Sequence, residues 1–221
     1  MHYDPRQPRP TALKHDPFKA LVVPRPIGWI GTLDAQGRAN LAPYSFFNAI
    51  SDQPPMVMFS SSGAKHSLGN ILATGEFTCS LAGEALRDAM NLSSAAVARE
   101  VDEFELAGLA KAPSRWIKPP RVAAAPAALE CRLFKTLPLP APPQGEGYTM
   151  VIGEVVGIYI DDALVQHGRV DTAAMRPLAR LGYMEYAVVT RETMFSLNRP
   201  RVSADARRAE VDAGPWDGVY R

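Results

Sequence analysis

The chain has 221 residues, which suits one large domain, and its 47% apolar and 21% charged residues are ordinary for a folded globular protein. The formal net charge is +1, so the sequence lacks the broad cationic surface that nucleic-acid binding requires. Its N-terminus shows no apolar signal segment, and no later stretch approaches the roughly 18 apolar residues of a membrane span. We therefore expect a cytoplasmic protein that binds neither nucleic acid nor membrane.

The first elements in chain order are strands. Residues 1–17 combine prolines and charges without a period, which predicts an extended arm. Residues 27–33 are rich in β-branched and aromatic side chains and predict a strand whose glycines indicate close approach by another backbone. The glycine-containing segment 34–38 predicts a hairpin loop leading to a second strand at 39–42. The apolar run at 56–59 predicts a buried strand.

Helix and strand patterns then alternate. Residues 67–73 place apolar side chains on one helical face, and Thr74 and Gly75 supply a stop. Residues 76–81 alternate as a strand, and residues 84–92 predict a second helix. The stretch 93–120 has no clear period, and we interpret it as a helical or looped excursion.

Three further strands are predicted at 127–137, 150–160 and 183–194. The proline-rich segment 138–143 contains a P-x-x-P match, but we favour a solvated hairpin connection because that pattern alone is weak. Strands outnumber helices, and no strand is followed by the helix and parallel strand of a βαβ unit. The expected fold is an antiparallel barrel with a few helices.

Metal and dithiol chemistry find no support in the residue spacing. Cys79 and Cys131 lie far apart without a C-x-x-C partner, and the four histidines have no second ligand type at metal spacing. We expect both cysteines to be buried in strands and no metal site. Catalytic signatures such as G-x-S-x-G, H-E-x-x-H and G-x-G-x-x-G do not occur in the sequence. No side chain is predicted to be an essential catalyst.

The segment Ser60–Ser67 leaves a buried strand and enters a helix. Its hydroxyl donors, the Lys65 charge and the free amides of the helix N-terminus suit a phosphate. The alternative is a polar loop in which Ser67 caps the helix. Residue types alone leave both interpretations open.

A second segment, Asn40–Asn48, alternates amide and hydroxyl side chains with aromatic ones. A heteroaromatic ring with carbonyl and N–H edges is bound by this mixture of hydrogen bonds and apolar contacts. The alternative is a core strand with a turn at Pro43. Here too the composition leaves both open.

Taken in order, these segments resemble the flavin reductase-like family of FMN-binding split barrels, in its flavoredoxin and flavin reductase branch. The resemblance covers about residues 16–197, and the ordered series is more specific than any one piece. The matching segments are Arg25–Thr32, Asn40–Ser51, Pro54–Val57, Ser60–Ser61 with Lys65 and Ser67, Asn70–Ile71, Glu76–Phe77, Ile152–Val155, and Ala179–Tyr183 with Tyr186–Ala187.

This resemblance implies a mainly β fold, an antiparallel split β-barrel of Greek-key type with a few peripheral helices. The implied organisation is an N-terminal arm at 1–17, an FMN-binding domain at 18–198 that includes the excursion at 93–120, and a C-terminal tail at 199–221. It implies a homodimer with FMN at its interface. The implied cofactor-binding residues are Asn40, Ala42, Pro43, Tyr44, Ser45, Phe46, Ser60, Ser61, Lys65, Ser67, Arg180 and Tyr183.

The function implied is that of an FMN-binding oxidoreductase of the NAD(P)H:flavin reductase type. Electrons would pass from NADH or NADPH through the flavin to an acceptor or a partner monooxygenase. One alternative is a non-enzymatic flavin carrier, and another keeps the barrel but binds haem or a pyridoxal-type phosphate. Two departures from the family pattern stand out: His66 replaces a common acidic residue, and Tyr148-Thr149 stands where many relatives carry a histidine.

Overall fold

The computed structural model describes residues 1–211, 214–216 and 218. The strands are β1 (Arg25–Pro26), β2 (Gly28–Leu33), β3 (Ala39–Tyr44), β4 (Phe47–Asp52), β5 (Pro55–Ser62), β6 (Glu76–Leu81), β7 (Lys111–Ala112), β8 (Arg121–Val122), β9 (Ala127–Pro138), β10 (Tyr148–Ile160), β11 (Val165–Gln166), β12 (Arg169–Val170), β13 (Leu178–Arg180), β14 (Tyr186–Val188), β15 (Arg201–Val202) and β16 (Ala209–Glu210).

The helices are short and lie between or outside the strands. They are α1 (Phe18–Leu21), α2 (His66–Thr74), α3 (Arg87–Leu92), α4 (Glu103–Leu106) and α5 (Thr172–Met175), with 3₁₀ turns at Glu84–Leu86, Asp162–Leu164 and Arg191–Thr193.

Seven strands form one antiparallel sheet in the order β3-β2-β6-β9-β10-β5-β4. The two edge strands, β3 and β4, follow each other in the chain and are joined by Ser45 and Phe46. Opposite edges of the sheet are therefore held side by side, which requires the sheet to curl. The Ser60 amide donates to the Phe46 carbonyl (2.9 Å) near this seam. The fold is thus the predicted antiparallel split β-barrel of Greek-key type.

The predicted hairpin between β2 and β3 is confirmed, and Asp34 holds it. Its carboxylate accepts hydrogen bonds from the amides of Gln36 and Arg38, both at 2.9 Å, and Gly37 has φ +80°. Burial acts to raise the pKa of Asp34, but these bonds and the Arg38 guanidinium hold that pKa below its usual range. This local closure places β3 beside β2.

Strand β2 is buried on both faces, so its sequence reads as a continuous apolar run. Trp29 and Ile30 point to opposite faces, and both are fully buried. Ile30 packs in a cluster with Phe59 and Phe77, whereas Trp29 packs in a second cluster with Phe104. The sheet therefore lies between two apolar layers.

The predicted close approach at a β2 glycine is confirmed at Gly31. A Cβ there would clash with Thr78 Oγ1 and would lie 2.8 Å from the Pro120 carbonyl oxygen. The two cysteines are buried as predicted, Cys79 in β6 and Cys131 in β9. Burial and the neighbouring Cys131 thiol raise the pKa of Cys79, which disfavours a reactive thiolate.

Two secondary-structure predictions need correction. The strand predicted at 183–194 is too long, because the chain turns at Gly182 and Tyr183, where Tyr183 has φ +51°, and only Tyr186–Val188 within that range is a strand. Tyr186–Val188 is the second strand of a hairpin whose first strand, β13, precedes the predicted segment. The helix predicted at 84–92 starts as a 3₁₀ turn and becomes α-helical at Arg87.

The proline-rich segment is an exposed connection between β9 and β10, as predicted. The division into an arm at 1–17, a domain at 18–198 and a tail at 199–221 stays a prediction. Positions 212, 213, 217 and 219–221 of that tail lie outside the described residues. Within the described part of the chain, no helix has the length and apolar character needed to cross a membrane.

Candidate functional site

A cleft of about 400 Å³ opens between β3, the start of α2 and the loop after α3. It brings together six of the residues predicted from the sequence. They are Asn40, Ala42, Pro43, Tyr44, Lys65 and Ser67. Two segments that are separate in the sequence therefore share one cavity.

The start of helix α2 forms one wall of this cleft. Lys65 is the N-cap residue and makes no side-chain capping bond, and the first intrahelical bond runs from the Gly69 amide to the Lys65 carbonyl (3.1 Å). Ser67 lies inside the first turn, so the alternative in which Ser67 caps the helix is wrong. Because the amides of a first turn have no helical carbonyl partner, this end of α2 can bind an anion.

Lys65 supplies a full positive charge beside these amides. Its Nζ lies 5.7 Å from the centre of the Tyr44 ring. Across the described part of the chain, no carboxylate forms an ion pair with this ammonium group. The charge is therefore available to an anion in the cleft.

A group of buried polar side chains lies behind the helix start. Asn40 Nδ2 donates to Ser67 Oγ at 2.9 Å, and both residues are buried. Burial raises the pKa of the Tyr44 phenol, while the nearby hydroxyls of Ser67 and Ser61 act against that rise. The Tyr44 hydroxyl and Ser61 Oγ have no well-formed hydrogen bond to any described residue. Such unpaired buried groups indicate a polar partner that the protein chain does not provide.

A second cleft of about 170 Å³ adjoins the first and shares Pro43 and Ser94 with it. It contains two more predicted residues, Ser45 and Arg180. Arg180 stacks on the Tyr186 ring, 4.5 Å from its centre, and its guanidinium donates to the Tyr186 hydroxyl and the Tyr183 carbonyl. Arg180 is therefore held as a wall of the second cleft.

Four predicted residues line neither cleft: Phe46, Ser60, Ser61 and Tyr183. The Phe46 ring lies near the cations of Lys19 and Arg25, at 5.9 and 6.0 Å from its centre. Tyr183 is 49% exposed, and the centre of its ring lies 5.8 Å from the centre of the His15 ring. The Tyr183 carbonyl accepts a hydrogen bond from Arg180, which lines the second cleft.

Sequence reasoning did not identify the loop 93–97 or Glu103 as cleft residues, although both line the larger cleft. Two buried hydrogen bonds hold the start of this loop. The Trp29 indole donates to Ser93 Oγ at 2.9 Å, and Ser93 Oγ donates to the Met90 carbonyl at 2.8 Å. Asp102, which caps α4 by accepting from the Phe104 amide, was the available sequence signal for a helix start there.

The fold and site together define a class: a split-barrel protein with a helix start that has no side-chain cap, beside a cleft lined by polar side chains. The flavin reductase like domain family matches residues 20–178. The chain belongs to this family.

The chain is also similar to a curated protein and to proteins of known structure. A protein of Deinococcus radiodurans, named only as uncharacterized, is 40% identical over 203 residues, which is 86% of each chain. Nitrilotriacetate monooxygenase component B from Bacillus cereus has a TM-score of 0.80 and 27% identity, covering 89% of this chain and 98% of its own. The 2-nitrobenzoate 2-nitroreductase NbaA of Pseudomonas fluorescens has a TM-score of 0.73 and 30% identity, and the match covers 85% of this chain and 91% of the other.

Proposed function

We propose that this protein is an FMN-binding oxidoreductase of the NAD(P)H:flavin reductase type. The observation that carries the proposal is the larger cleft, where an uncapped helix start and Lys65, which forms no ion pair with a described residue, adjoin Tyr44, whose buried hydroxyl has no hydrogen bond to a described residue. These groups fit the phosphate and the polar chain of a flavin mononucleotide. Family membership supports the flavin part of the proposal.

The phosphate would be held by the first-turn amides of α2 together with Lys65 and Ser67. The ring would lie along β3 and the following residues, from Ala42 to Phe46. Strand β3 is an edge strand, so the backbone groups that point away from β2 have no strand partner. Such groups can hydrogen-bond the carbonyl and N–H edge of a ring. Pro43 has no amide hydrogen, so only its carbonyl takes part.

The chemistry that a bound flavin supplies is hydride acceptance from a nicotinamide and electron delivery to an acceptor. The protein's own task is then to position the ring, to exclude water from one side and to leave the other side open. The loop 93–97 and the Arg180–Tyr186 stack are placed to limit water access. Because the flavin would carry out the redox chemistry and the protein would only position it, this proposal agrees with the prediction that no side chain is an essential catalyst.

We also propose that the protein works as a cytoplasmic homodimer and that Arg180 and Tyr183 border the flavin of either subunit. Support comes from large apolar side chains that one chain leaves exposed: Met184, which lines the second cleft, is 78% exposed, and Leu21 of α1 is 77% exposed. Contiguous exposed apolar surface marks interaction sites. The name of the Bacillus cereus neighbour makes a partner monooxygenase the first acceptor to test.

A second candidate function is a flavin carrier that does not react with nicotinamide. The observation that favours it is the residue pair Tyr148-Thr149, one of the two departures from the family pattern to which the sequence shows a resemblance. The Tyr148 ring lies 5.7 Å from that of Phe46, so this pair is close to the segment proposed to follow the ring.

Anaerobic mixing with nicotinamide separates the two functions. The FMN-loaded protein is mixed without oxygen with NADH and, separately, with NADPH, and the flavin absorbance near about 450 nm is followed. We expect either NADH or NADPH to bleach the flavin within seconds. Binding to the protein would hold the nicotinamide next to the flavin, so that hydride transfer does not depend on a chance encounter in solution. A matched sample of free FMN at the same concentration measures the background. No bleaching beyond that background with either nucleotide contradicts the reductase and supports the carrier.

A further inference from the structure

The second cleft contains a positive charge that has only neutral partners. Among the described residues that line this cleft, Arg180 alone carries a charge. Its guanidinium donates to the Tyr186 hydroxyl, the Tyr183 carbonyl and the Met184 sulfur. A guanidinium has more N–H donors than these three acceptors use. Arg180 can therefore bind an anion that enters the cleft.

A second arginine lies directly opposite Arg180. Arg25 of β1 pairs in register with Arg180 of β13, and residues opposite each other in an antiparallel pair point to the same face. Arg25 is only 6% exposed, and its hydrogen bonds go to the carbonyls of Lys19, Val22 and Leu181. Its Nε has no hydrogen-bond partner among the described residues. The strand pair therefore holds a buried positive charge beside a second one.

No carboxylate of the described residues neutralises this arginine pair. Neither Arg25 nor Arg180 takes part in an ion pair, whereas Arg191 pairs with Asp171 at 2.7 Å. Burial and the Arg180 charge lower the pKa of Arg25. Like charges on directly opposite residues are destabilising, and a buried charge requires a partner. An anion bound at Arg180 would offset both costs.

The size and the lining of the second cleft limit what such an anion can be. Its volume of about 170 Å³ is below the roughly 300–1,000 Å³ of a pocket for a drug-sized ligand, so it holds one ring rather than a dinucleotide. Ile27, Met90 and Met184 give it apolar walls, and Tyr186 adds an aromatic one. These walls fit the flat apolar body of a small ring compound. The occupant then combines a single ring with one negative group.

The position of the second cleft places its occupant next to the flavin. The cleft shares Pro43 and Ser94 with the larger cleft, and it also contains Ser45. Pro43 and Ser45 belong to the segment from Ala42 to Phe46, along which the flavin ring is proposed to lie. A reaction partner of the flavin has to lie in contact with that ring. The second cleft is therefore the place for a small molecule beside the ring.

We propose that the second cleft binds a one-ring aromatic carboxylate, with the carboxylate on Arg180 and the ring beside the flavin. This inference rests on the proposed function, which sets the place of the flavin. Arginine suits this role because its planar fork matches the two oxygens of a carboxylate. Arg25 does not touch the ligand, but its charge adds to the attraction. The site therefore selects a negative ligand over a neutral one of the same shape.

Benzoate and benzamide are the matched probes, because they share a ring and differ in charge. Each is titrated into the FMN-loaded protein, and binding is followed as a change in the flavin absorption spectrum, which a molecule against the ring perturbs. We expect benzoate to bind about 10- to 100-fold more tightly than benzamide, since a charged group on an arginine contributes more than a neutral one.

Three variants assign that preference to Arg180. Arg180→Gln should reduce it to below about 3-fold while FMN affinity stays within about 3-fold of the wild type. Arg180→Lys keeps the charge without the fork, so benzoate should bind at least about 3-fold more weakly than to the wild type. Arg207→Gln removes an exposed arginine of the tail and should leave the preference unchanged.

Each outcome separates this inference from the proposed function. Equal affinities for benzoate and benzamide in the wild type, or a full preference in Arg180→Gln, overturn the inference. An Arg180→Gln protein that no longer retains FMN overturns it as well, because Arg180 would then hold the flavin. If Arg180→Gln does not fold, wild-type benzoate affinity in Arg180→Lys overturns it. A wild-type protein that binds no FMN contradicts the proposed function instead.

Discussion

Replacing both Lys65 and Ser67 by alanine is expected to weaken FMN binding by about 2–4 kcal/mol, roughly 30- to 1000-fold. Lys65 supplies the unpaired charge at the start of α2, and Ser67 supplies a hydroxyl fixed by the 2.9 Å bond from Asn40 Nδ2. Each contact to a charged phosphate contributes more than an ordinary hydrogen bond. Titration of the variant with FMN, followed by fluorescence quenching, measures the loss.

Two controls separate a lost phosphate contact from a damaged fold. Riboflavin has the same ring without the phosphate, so its affinity should be nearly the same in the variant and in the wild type. Lys135→Ala removes an exposed lysine of β9 and should leave FMN binding unchanged. An FMN affinity that the double substitution does not alter would place the phosphate somewhere else.

The largest loss of stability is expected from Phe59→Ala. Phe59 is fully buried, and its ring lies 4.6 Å from that of Tyr44 and 5.8 Å from that of Phe77, measured between ring centres. Truncation leaves a cavity that the two packed layers cannot close, so the free energy of unfolding should fall by about 3–5 kcal/mol. Because Tyr44 loses its support, FMN affinity should fall as well. Urea unfolding and an FMN titration measure the two effects.

Phe134→Ala is the matched comparison, since Phe134 lies in the same sheet but is 66% exposed. Its substitution should change the free energy of unfolding by less than about 0.5 kcal/mol. If the two variants were equally stable, the assignment of Phe59 to the centre of the barrel core would be contradicted.

Much of the fold could be predicted because it depends on local signals. Apolar runs in the sequence predict the strands β2, β5 and β10, and the glycine after Thr74 predicts the end of α2. The hairpin at 34–38 follows from Asp34 and Gly37. The strand predicted at 183–194 was too long, because that range begins in the turn between β13 and β14, where the Tyr183 carbonyl accepts from Arg180, and ends beyond a 3₁₀ turn at Arg191–Thr193.

The candidate site could be predicted only where the residue types themselves indicate a ligand. Lys65 and Ser67 follow a strand and open a helix, so their place at an anion site follows from order in the sequence. Glu103 carries no such signal, because its position in the cleft depends on the long-range bond to the Leu41 amide. The role of Phe46 stays a prediction: its ring lies near the cations of Lys19 and Arg25 and outside the two clefts.

Flavin binding at the cleft beside the start of α2 is what the proposed function requires first. The visible absorption spectrum of the purified protein, recorded after incubation with FMN and removal of unbound ligand, tests it most directly. We predict a retained flavin band near about 450 nm in the wild-type protein and its loss when Lys65 and Ser67 are both alanine. A wild-type protein that retains no flavin band, or one that shows a strong Soret band of haem instead, would contradict the claim.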